Sequence, residues 1–223
     1  MSRDTTTSKI TPINMKKFCA GPDDPRSYLL EPGLIKLKGI ADPWVIATNG
    51  HYLVLIDGSD PDVFSVEEPL EFIKESICES VSKMLKASAD CPPNLRRCTQ
   101  LSDLNLPASV ECSHCEGIGQ VEDQCPCCMR TGRDDCGKCG GSGKGYQSVG
   151  IFGQCFNAEY LRLLSELPEC KLCVLPQTDE KTITPSRLYF RGGSALLMPL
   201  KAPYDTHHDL LTAEPSGVNE CAS

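Results

Sequence analysis

The sequence predicts an α+β protein with a cysteine-rich segment inserted in the middle of the chain. Three observations lead to this prediction. Short β-rich runs separated by turn residues occur on both sides of the centre, two segments have the apolar spacing of helices, and seven of the 15 cysteines fall within residues 112–139. With 223 residues, 40% of them hydrophobic, the chain can build an apolar core without relying on disulfides.

The segment before the cysteines predicts a short helix, several strands and a longer helix. The short helix is expected over residues 13–20, followed by strands in the runs SYLL, LIKLKG, WVIAT and HYLVLID. Asn49 and Gly50 predict a hairpin between the last two strands, because both residues tolerate positive φ. From Pro69 to Ala87, apolar residues recur at three- and four-residue spacing, which predicts an amphipathic helix followed by a linker.

The segment after the cysteines is predicted to have a similar order of helix and strands. YQSVGIFGQCF predicts a strand, and NAEYLRLLSELP predicts a helix with Asn157 as its N-cap. CKLCVLP, SRLYF and SALLMPL predict three further strands, whereas residues 201–223 form a polar tail with no period. Both flanks therefore contain a short helix followed by about three strands, which is a weak internal repeat.

Charge and composition narrow the range of functions. A net charge of -8 argues against indiscriminate binding to nucleic acid. The polar N-terminal residues lack the apolar core of a signal peptide, and no apolar run approaches the ~18 residues of a membrane span. We therefore expect a reduced, cytoplasmic protein with no membrane partner, in which paired cysteines bind metal rather than form disulfides. No catalytic motif is present, so we expect no enzyme activity.

Three Cys-x-x-Cys pairs form the cysteine-rich cassette, here defined as residues 111–145. The pairs are Cys112 and Cys115, Cys125 and Cys128, and Cys136 and Cys139. Each pair can direct two sulfurs at one ion, and two pairs complete a tetrahedral zinc site with Zn–S distances of ~2.3 Å. Acidic residues outnumber basic ones in this segment, which favours a protein partner over nucleic acid.

The repeated pattern Cys-x-x-Cys-x-Gly-x-Gly resembles the cysteine-rich domain of DnaJ-type co-chaperones. Residues 112–119 and 136–143 match it in full, and residues 125–132 carry Arg130 in place of the first glycine. The resemblance implies that the outer pairs, Cys112 with Cys115 and Cys136 with Cys139, share one zinc ion. Cys125 and Cys128 then lack a partner pair. A second zinc would need further ligands from this set: Cys127, His114, or Cys170 with Cys173.

Other cysteines have simpler interpretations. Cys170 and Cys173 flank the start of a predicted strand, where alternation aims them in opposite directions, so two small buried apolar residues are the first interpretation. We interpret the four isolated cysteines as buried or incidental free thiols: Cys19, Cys78, Cys155 and Cys221.

The flanks resemble the bacterial sliding clamp, the β subunit of DNA polymerase III. ATNGHYLVLID at 47–57 is similar to that family's hairpin, with Asn49 and Tyr52 in place of its Asp and Arg. FNAEYLRLLSELP and the later RLYFRGGSALLMPLK are similar to its recurring helix, hairpin and C-terminal Met-Pro segment. The resemblance implies one clamp-type domain of two β-α-β-β-β halves with the helix and cassette inserted. Since clamp rings contain six such domains, it also implies an oligomer if this protein forms a ring.

The clamp resemblance also implies two sets of site residues. Lys16, Lys17 and Arg162 would face DNA phosphates from the helices, although an ordinary solvated face explains them equally well. Met198, Pro199 and Leu200 would help to wall a pocket for partner peptides, although edge-strand packing also explains Met198.

Together these patterns predict six segments and one function. The segments are a flexible lead (1–12), a first clamp half (13–68), an inserted helix and linker (69–110), the zinc cassette (111–145), a second clamp half (146–200) and a polar tail (201–223). The predicted function is a non-enzymatic zinc protein that docks to proteins as an accessory or decoy in DNA replication or repair, with a viral or mobile-element origin suggested by the unusual fusion. The alternatives are a chaperone-like or thiol–disulfide factor and a regulator of one protein partner.

Overall fold

A computed structural model of the chain describes most of its residues. The described ranges are 12–22, 24–26, 29–57, 63–66, 70–89, 96–124, residue 127, 131–139, 141–175 and 184–211. The chain divides into two compact units. Described residues within 12–102 and 163–198 belong to the first unit, and those within 103–162 and 199–211 belong to the second.

Strands dominate both units. They are β1 (Ile13–Asn14), β2 (Gly33–Ile35), β3 (Trp44–Thr48), β4 (Tyr52–Ile56), β5 (Phe64–Ser65), β6 (Arg97–Gln100), β7 (Gln120–Gln124), β8 (Thr131–Asp135), β9 (Gln147–Ile151), β10 (Gln154–Asn157), β11 (Lys171–Val174), β12 (Ser186–Phe190), β13 (Gly193–Leu197) and β14 (Thr206–Leu211). The α-helices are α1 (Glu75–Ala89) and α2 (Ala158–Leu164), and 3₁₀ turns cover Met15–Phe18 and Leu101–Asp103. Mostly β-sheet with two α-helices, the described structure is consistent with the predicted α+β class. Neither described helix is long and apolar enough to cross a membrane.

The first unit is built on a seven-stranded sheet with the order β2-β3-β4-β13-β12-β11-β6. All neighbouring pairs in it are antiparallel. Two three-stranded meanders, one from each flank of the chain, meet where β4 pairs with β13. Each meander is preceded along the chain by a strand and a short helical segment, so the element order repeats as strand, helix, strand, strand, strand. This order agrees with the weak repeat found in the sequence.

The helix α1 covers part of this sheet. Its Val81 is buried in a cluster with sheet residues that include Ile46, Leu55 and Leu196. The helix begins at Glu75, later than the predicted start at Pro69, which lies outside the described residues. Part of the intervening chain instead runs beside the edge strand β2, where the backbone N–H of Leu34 donates to Glu71 O over 2.8 Å. The backbone N–H and C=O groups of an edge strand need hydrogen-bond partners. The helical periodicity of the sequence does not show that this segment supplies them.

The short helix predicted over 13–20 is a 3₁₀ helix that covers only Met15–Phe18. The chain forms β1, which pairs in parallel with β5, and then a single 3₁₀ segment. Asn14 caps that segment, because its side chain accepts a hydrogen bond from the backbone N–H of Lys16 over 2.9 Å. Of the predicted strand SYLL, only Leu29 and Leu30 are described, and neither lies in a strand.

The predicted single strand YQSVGIFGQCF is a hairpin. Strands β9 and β10 pair in antiparallel fashion around Phe152 and Gly153, which both have positive φ, of 51° and 80°. The turn could not be predicted from the sequence, because phenylalanine rarely adopts a left-handed backbone conformation.

Part of the predicted polar tail forms a strand, which the sequence did not indicate. β14 pairs in parallel with β9. The hydroxyl of Ser148 on β9 accepts from the backbone N–H of Tyr204 and bonds to His207 Nδ1, each over 2.9 Å. Because four of the six residues of β14 are polar, its sequence lacks the alternating apolar signal that identifies strands.

One cysteine prediction needs correction. The structure pairs Cys98 with Cys173 in a disulfide, whereas the sequence favoured reduced cysteines and an apolar role for Cys173. The two residues face each other across β6 and β11, with their Cα atoms 4.1 Å apart. β6 lies in the predicted linker, so its pairing could not be foreseen. Cys170 is buried as expected, and burial raises the pKa of its thiol to about 12.

Candidate metal centre

The cassette is organised around the antiparallel hairpin of β7 and β8. The knuckle at 112–119 enters β7, and the knuckle at 136–143 leaves β8. Because Gln120 pairs with Asp135 at the open end of the hairpin, the two knuckles are brought side by side. Hairpin pairing alone therefore places two Cys-x-x-Cys pairs at one point.

The four cysteines of these knuckles form a single sulfur cluster. Cys112 Sγ lies 3.9 Å from Cys136 Sγ, and Cys115 Sγ lies 3.7 Å from Cys139 Sγ. All four sulfurs are within 4.8 Å of one another, and all four residues are buried. Four ligands about 2.3 Å from a central ion lie about 3.8 Å apart in a regular tetrahedron, so the cluster has the size of a tetrahedral thiolate site. The donor set fits a metal ion.

The glycines of the two knuckles are required by close backbone approach. Gly119 and Gly143 have positive φ, of 82° and 71°, and a Cβ on either would lie 2.2 Å from a carbonyl oxygen of the opposite knuckle. That oxygen belongs to Gly141 in the first case and Gly117 in the second. Only glycine combines this φ with this lack of volume.

Backbone hydrogen bonds repeat in the two knuckles. The N–H of Gly119 donates to Cys115 Sγ over 3.2 Å, and the N–H of Gly143 donates to Cys139 Sγ over 3.3 Å. The N–H of Cys112 donates to Gly143 O, and the N–H of Cys136 donates to Gly119 O, both over 2.8 Å. The knuckles are thus related by a local two-fold arrangement, as expected when two similar motifs bind one ion.

The electrostatics of the cluster favour a cation at its centre. The backbone N–H of Cys115, assisted by that of His114, lowers the pKa of Cys112 to about 7. Burial raises the pKa of Cys115 to about 11. Buried thiolates are costly unless a cation compensates their charge, so a bound metal would stabilise the charged form of all four ligands.

Of the other predicted ligands, those that the structure describes lie outside the four-cysteine cluster. Cys125 and Cys128 lie outside the described residues, in the segment that joins β7 to β8. Cys127 and His114 are exposed. The alternative that used Cys170 with Cys173 is not supported, because Cys173 is bonded to Cys98.

The three predicted DNA-facing cations each pair with a carboxylate. Lys16 binds Glu31, and Lys17 binds Glu166. Arg162 binds Glu159 over 2.7 Å and also donates to Pro107 O. These ion pairs would compete with phosphate for the same side chains.

The predicted peptide-pocket residues are held by backbone contacts. The N–H of Met198 donates to His51 O over 2.9 Å, and the N–H of Leu200 donates to Cys155 O over 2.7 Å. Pro199 is buried, and Met198 and Leu200 are half-buried. Met198 belongs to the first unit, whereas Pro199 and Leu200 belong to the second.

One exposed apolar residue of the cassette was not singled out from the sequence. Ile118, between Gly117 and Gly119, keeps 71% of its surface exposed. Its counterpart in the second knuckle is Ser142. The sequence pattern that could have indicated its exposure is a large apolar residue between two glycines, since glycines offer no side chains for it to pack against.

Comparisons with known proteins give distant structural neighbours only. No protein-family model matches the sequence, and no curated protein matches it. Solved structures similar to this chain include pol III beta from Caulobacter crescentus (TM-score 0.36, 13% identity, 91% of this chain covered) and a DNA polymerase III beta sliding clamp from Bartonella birtlesii bound to griselimycin (TM-score 0.38, 13% identity, 84% covered). The chain spans 68% of the first and 62% of the second. TM-scores this low do not assign a function.

Proposed function

We propose that this protein is a non-enzymatic zinc protein whose cassette docks onto another protein, as an accessory or decoy in DNA replication or repair. The observation that carries the zinc proposal is the cluster of four buried sulfurs at tetrahedral spacing. An all-thiolate tetrahedral site suits zinc or iron, and closed four-cysteine sites are typical of structural zinc. The replication role rests on the sequence resemblance to clamps.

The docking proposal follows from what surrounds the sulfurs. Within the described part of the cassette, the buried cluster consists of the four cysteines, with partly buried Val121 packed against it. Every residue of β8 is exposed. A segment with so small an interior uses its metal for folding, and its surface is then available to a partner. Exposed Ile118 and the acidic residues of β7 and β8 suggest a partner surface with an apolar contact and basic neighbours.

Metal analysis tests the zinc proposal. Protein purified under reducing conditions should contain one zinc ion at the four-cysteine site of each chain, and Cys136→Ser should lose this ion. An absorbance spectrum separates the two metals, because zinc thiolates are colourless and iron thiolates absorb visible light. A coloured, iron-containing protein, or one without metal, would refute the zinc assignment.

Partner capture tests the docking proposal separately. The immobilised wild-type chain is exposed to extract of its source cells beside Ile118→Asp, which leaves all four ligands in place. Retention of a replication or repair protein by the wild type alone supports the proposal. Equal retention by Ile118→Asp, with zinc still bound in both, shows that docking does not use this knuckle.

A thiol–disulfide role receives less support. Such chemistry needs an accessible pair with a reactive thiolate, whereas the pairs at 112–115 and 136–139 are buried together. An insulin-reduction assay with wild type and Cys125→Ser distinguishes this alternative, because activity lost in the variant would favour a redox role over docking.

A further inference from the structure

A groove in the first unit is lined by none of the metal-cluster residues and by none of the predicted clamp-site residues. It has a volume of about 880 Å³ and runs between α1 and the chain that follows β2. One face of α1 lines one side, with residues at three- and four-residue spacing: Glu75, Cys78, Glu79, Ser82, Lys83 and Lys86. Leu37 and Ile73 contribute apolar lining between the two sides.

The charge of this groove opposes that of the chain. Lys36 and Lys38 line one side and Lys83 and Lys86 the other, against two glutamates, although the chain as a whole has a net charge of -8. All four lysines are exposed, and none forms an ion pair within the part of the chain that the structure describes. The groove is therefore a local positive site on an acidic protein, which attracts anionic groups.

The groove also exposes large apolar side chains. Phe72 keeps 63% of its surface exposed and Ile40 keeps 38%, and both line the groove. The backbone around Phe72 is fixed, since the N–H of Ile73 donates to Leu34 O over 3.0 Å. An exposed aromatic side chain on an anchored backbone, rimmed by lysines, has the composition of a protein interaction site.

We propose that this groove binds an acidic peptide segment that carries a large apolar side chain. The apolar residue would lie against Phe72 and Ile40, and its flanking carboxylates would pair with the lysines of the two sides. Glu75 and Glu79 decide against a nucleic acid, because a continuous run of phosphates would meet both carboxylates. A peptide can space its acidic residues to avoid them.

A displayed library of random twelve-residue peptides is the direct test, with the full-length protein as bait. The expected result is enrichment of peptides that combine Asp or Glu with Phe, Leu or Trp. Synthetic peptides from the selection should bind, as followed by fluorescence anisotropy, and binding should weaken as salt is added. Lys83→Glu/Lys86→Glu should weaken binding by about tenfold or more, because the introduced carboxylates repel those of the peptide.

Matched controls keep the result interpretable. Arg191→Glu/Lys201→Glu makes the same change in net charge at exposed positions outside the groove and the cassette, and it should bind normally. Phe72→Ala should lose binding while circular dichroism stays unchanged. The proposal is overturned if selection yields no acidic–apolar peptides, if the groove double variant binds as well as its control, or if a single-stranded oligonucleotide displaces the peptide through the same lysines.

Discussion

The seven-stranded sheet and the cassette hairpin show two ways of stabilising a strand within one chain. All five residues of β4 are buried, whereas all five residues of β8 are exposed. The sheet is held by apolar side chains that leave water, a term of roughly 25 cal/mol per Å² of buried apolar surface. In the described part of the hairpin, partly buried Val121 packs against a buried cluster that is built from the four cysteines. The same backbone pairing thus depends on apolar burial in one region and, by the proposed function, on a metal in the other.

Metal removal should give the largest difference between the two regions. We expect a chelator, or Cys136→Ser, to unfold the cassette, since structural zinc contributes about 10–16 kcal/mol in zinc-finger peptides. Hydrogen exchange resolves the outcome by region. Amides of β7 and β8 should exchange rapidly, while those of β4, β12 and β13 stay protected. Loss of protection in the sheet as well would show that the two regions are not stabilised independently.

A core truncation should have the opposite pattern. Leu55 is fully buried in the sheet cluster, so Leu55→Ala should lower the free energy of unfolding by about 2–5 kcal/mol. Urea unfolding followed by circular dichroism measures the change, and metal analysis should find the zinc content unaltered. Val121→Ala is the comparison in the cassette, where a partly buried side chain should contribute less.

Glycine substitutions test whether the close contact between the two knuckles supports metal binding. Gly119→Ala places a Cβ 2.2 Å from Gly141 O at a positive φ and should weaken metal binding by roughly 1–3 kcal/mol, about five- to 150-fold. Competition with a chromogenic chelator measures this affinity. Gly137→Ala is the matched control, since a Cβ there meets nothing within 4 Å and its φ is ordinary. Equal effects of the two changes would mean that the close contact between the knuckles is not important.

Surface ion pairs should matter least. Lys17 and Glu166 are both nearly half-exposed, so Lys17→Ala should change the free energy of unfolding by less than about 1 kcal/mol. Lys201→Ala removes an exposed lysine elsewhere and should be neutral within the error of urea unfolding. A loss from Lys17→Ala as large as that from Leu55→Ala would place this pair among the main stabilising contacts.

The features that could be predicted from the sequence are those with a local sequence pattern. Asn49 and Gly50 form the predicted turn between β3 and β4, and helical spacing located most of α1. Repeated Cys-x-x-Cys-x-Gly-x-Gly spacing pointed to the four residues that the structure brings together. Long-range pairing was not visible: Cys98 meets Cys173 only because β6 joins the sheet beside β11, and β14 depends on contacts from Ser148 rather than on its own apolar pattern. The groove could not be predicted from the sequence, because its lysines lie on two separate segments of the chain.

Whether the four cysteines bind zinc is tested most directly by the metal content of the intact chain and of two serine variants. Inductively coupled plasma mass spectrometry measures this content. We expect bound zinc in the wild type and its loss from the four-cysteine site in Cys136→Ser, with that site still filled in Cys127→Ser. A wild-type protein without metal, or a zinc content that Cys136→Ser leaves unchanged, would contradict this expectation.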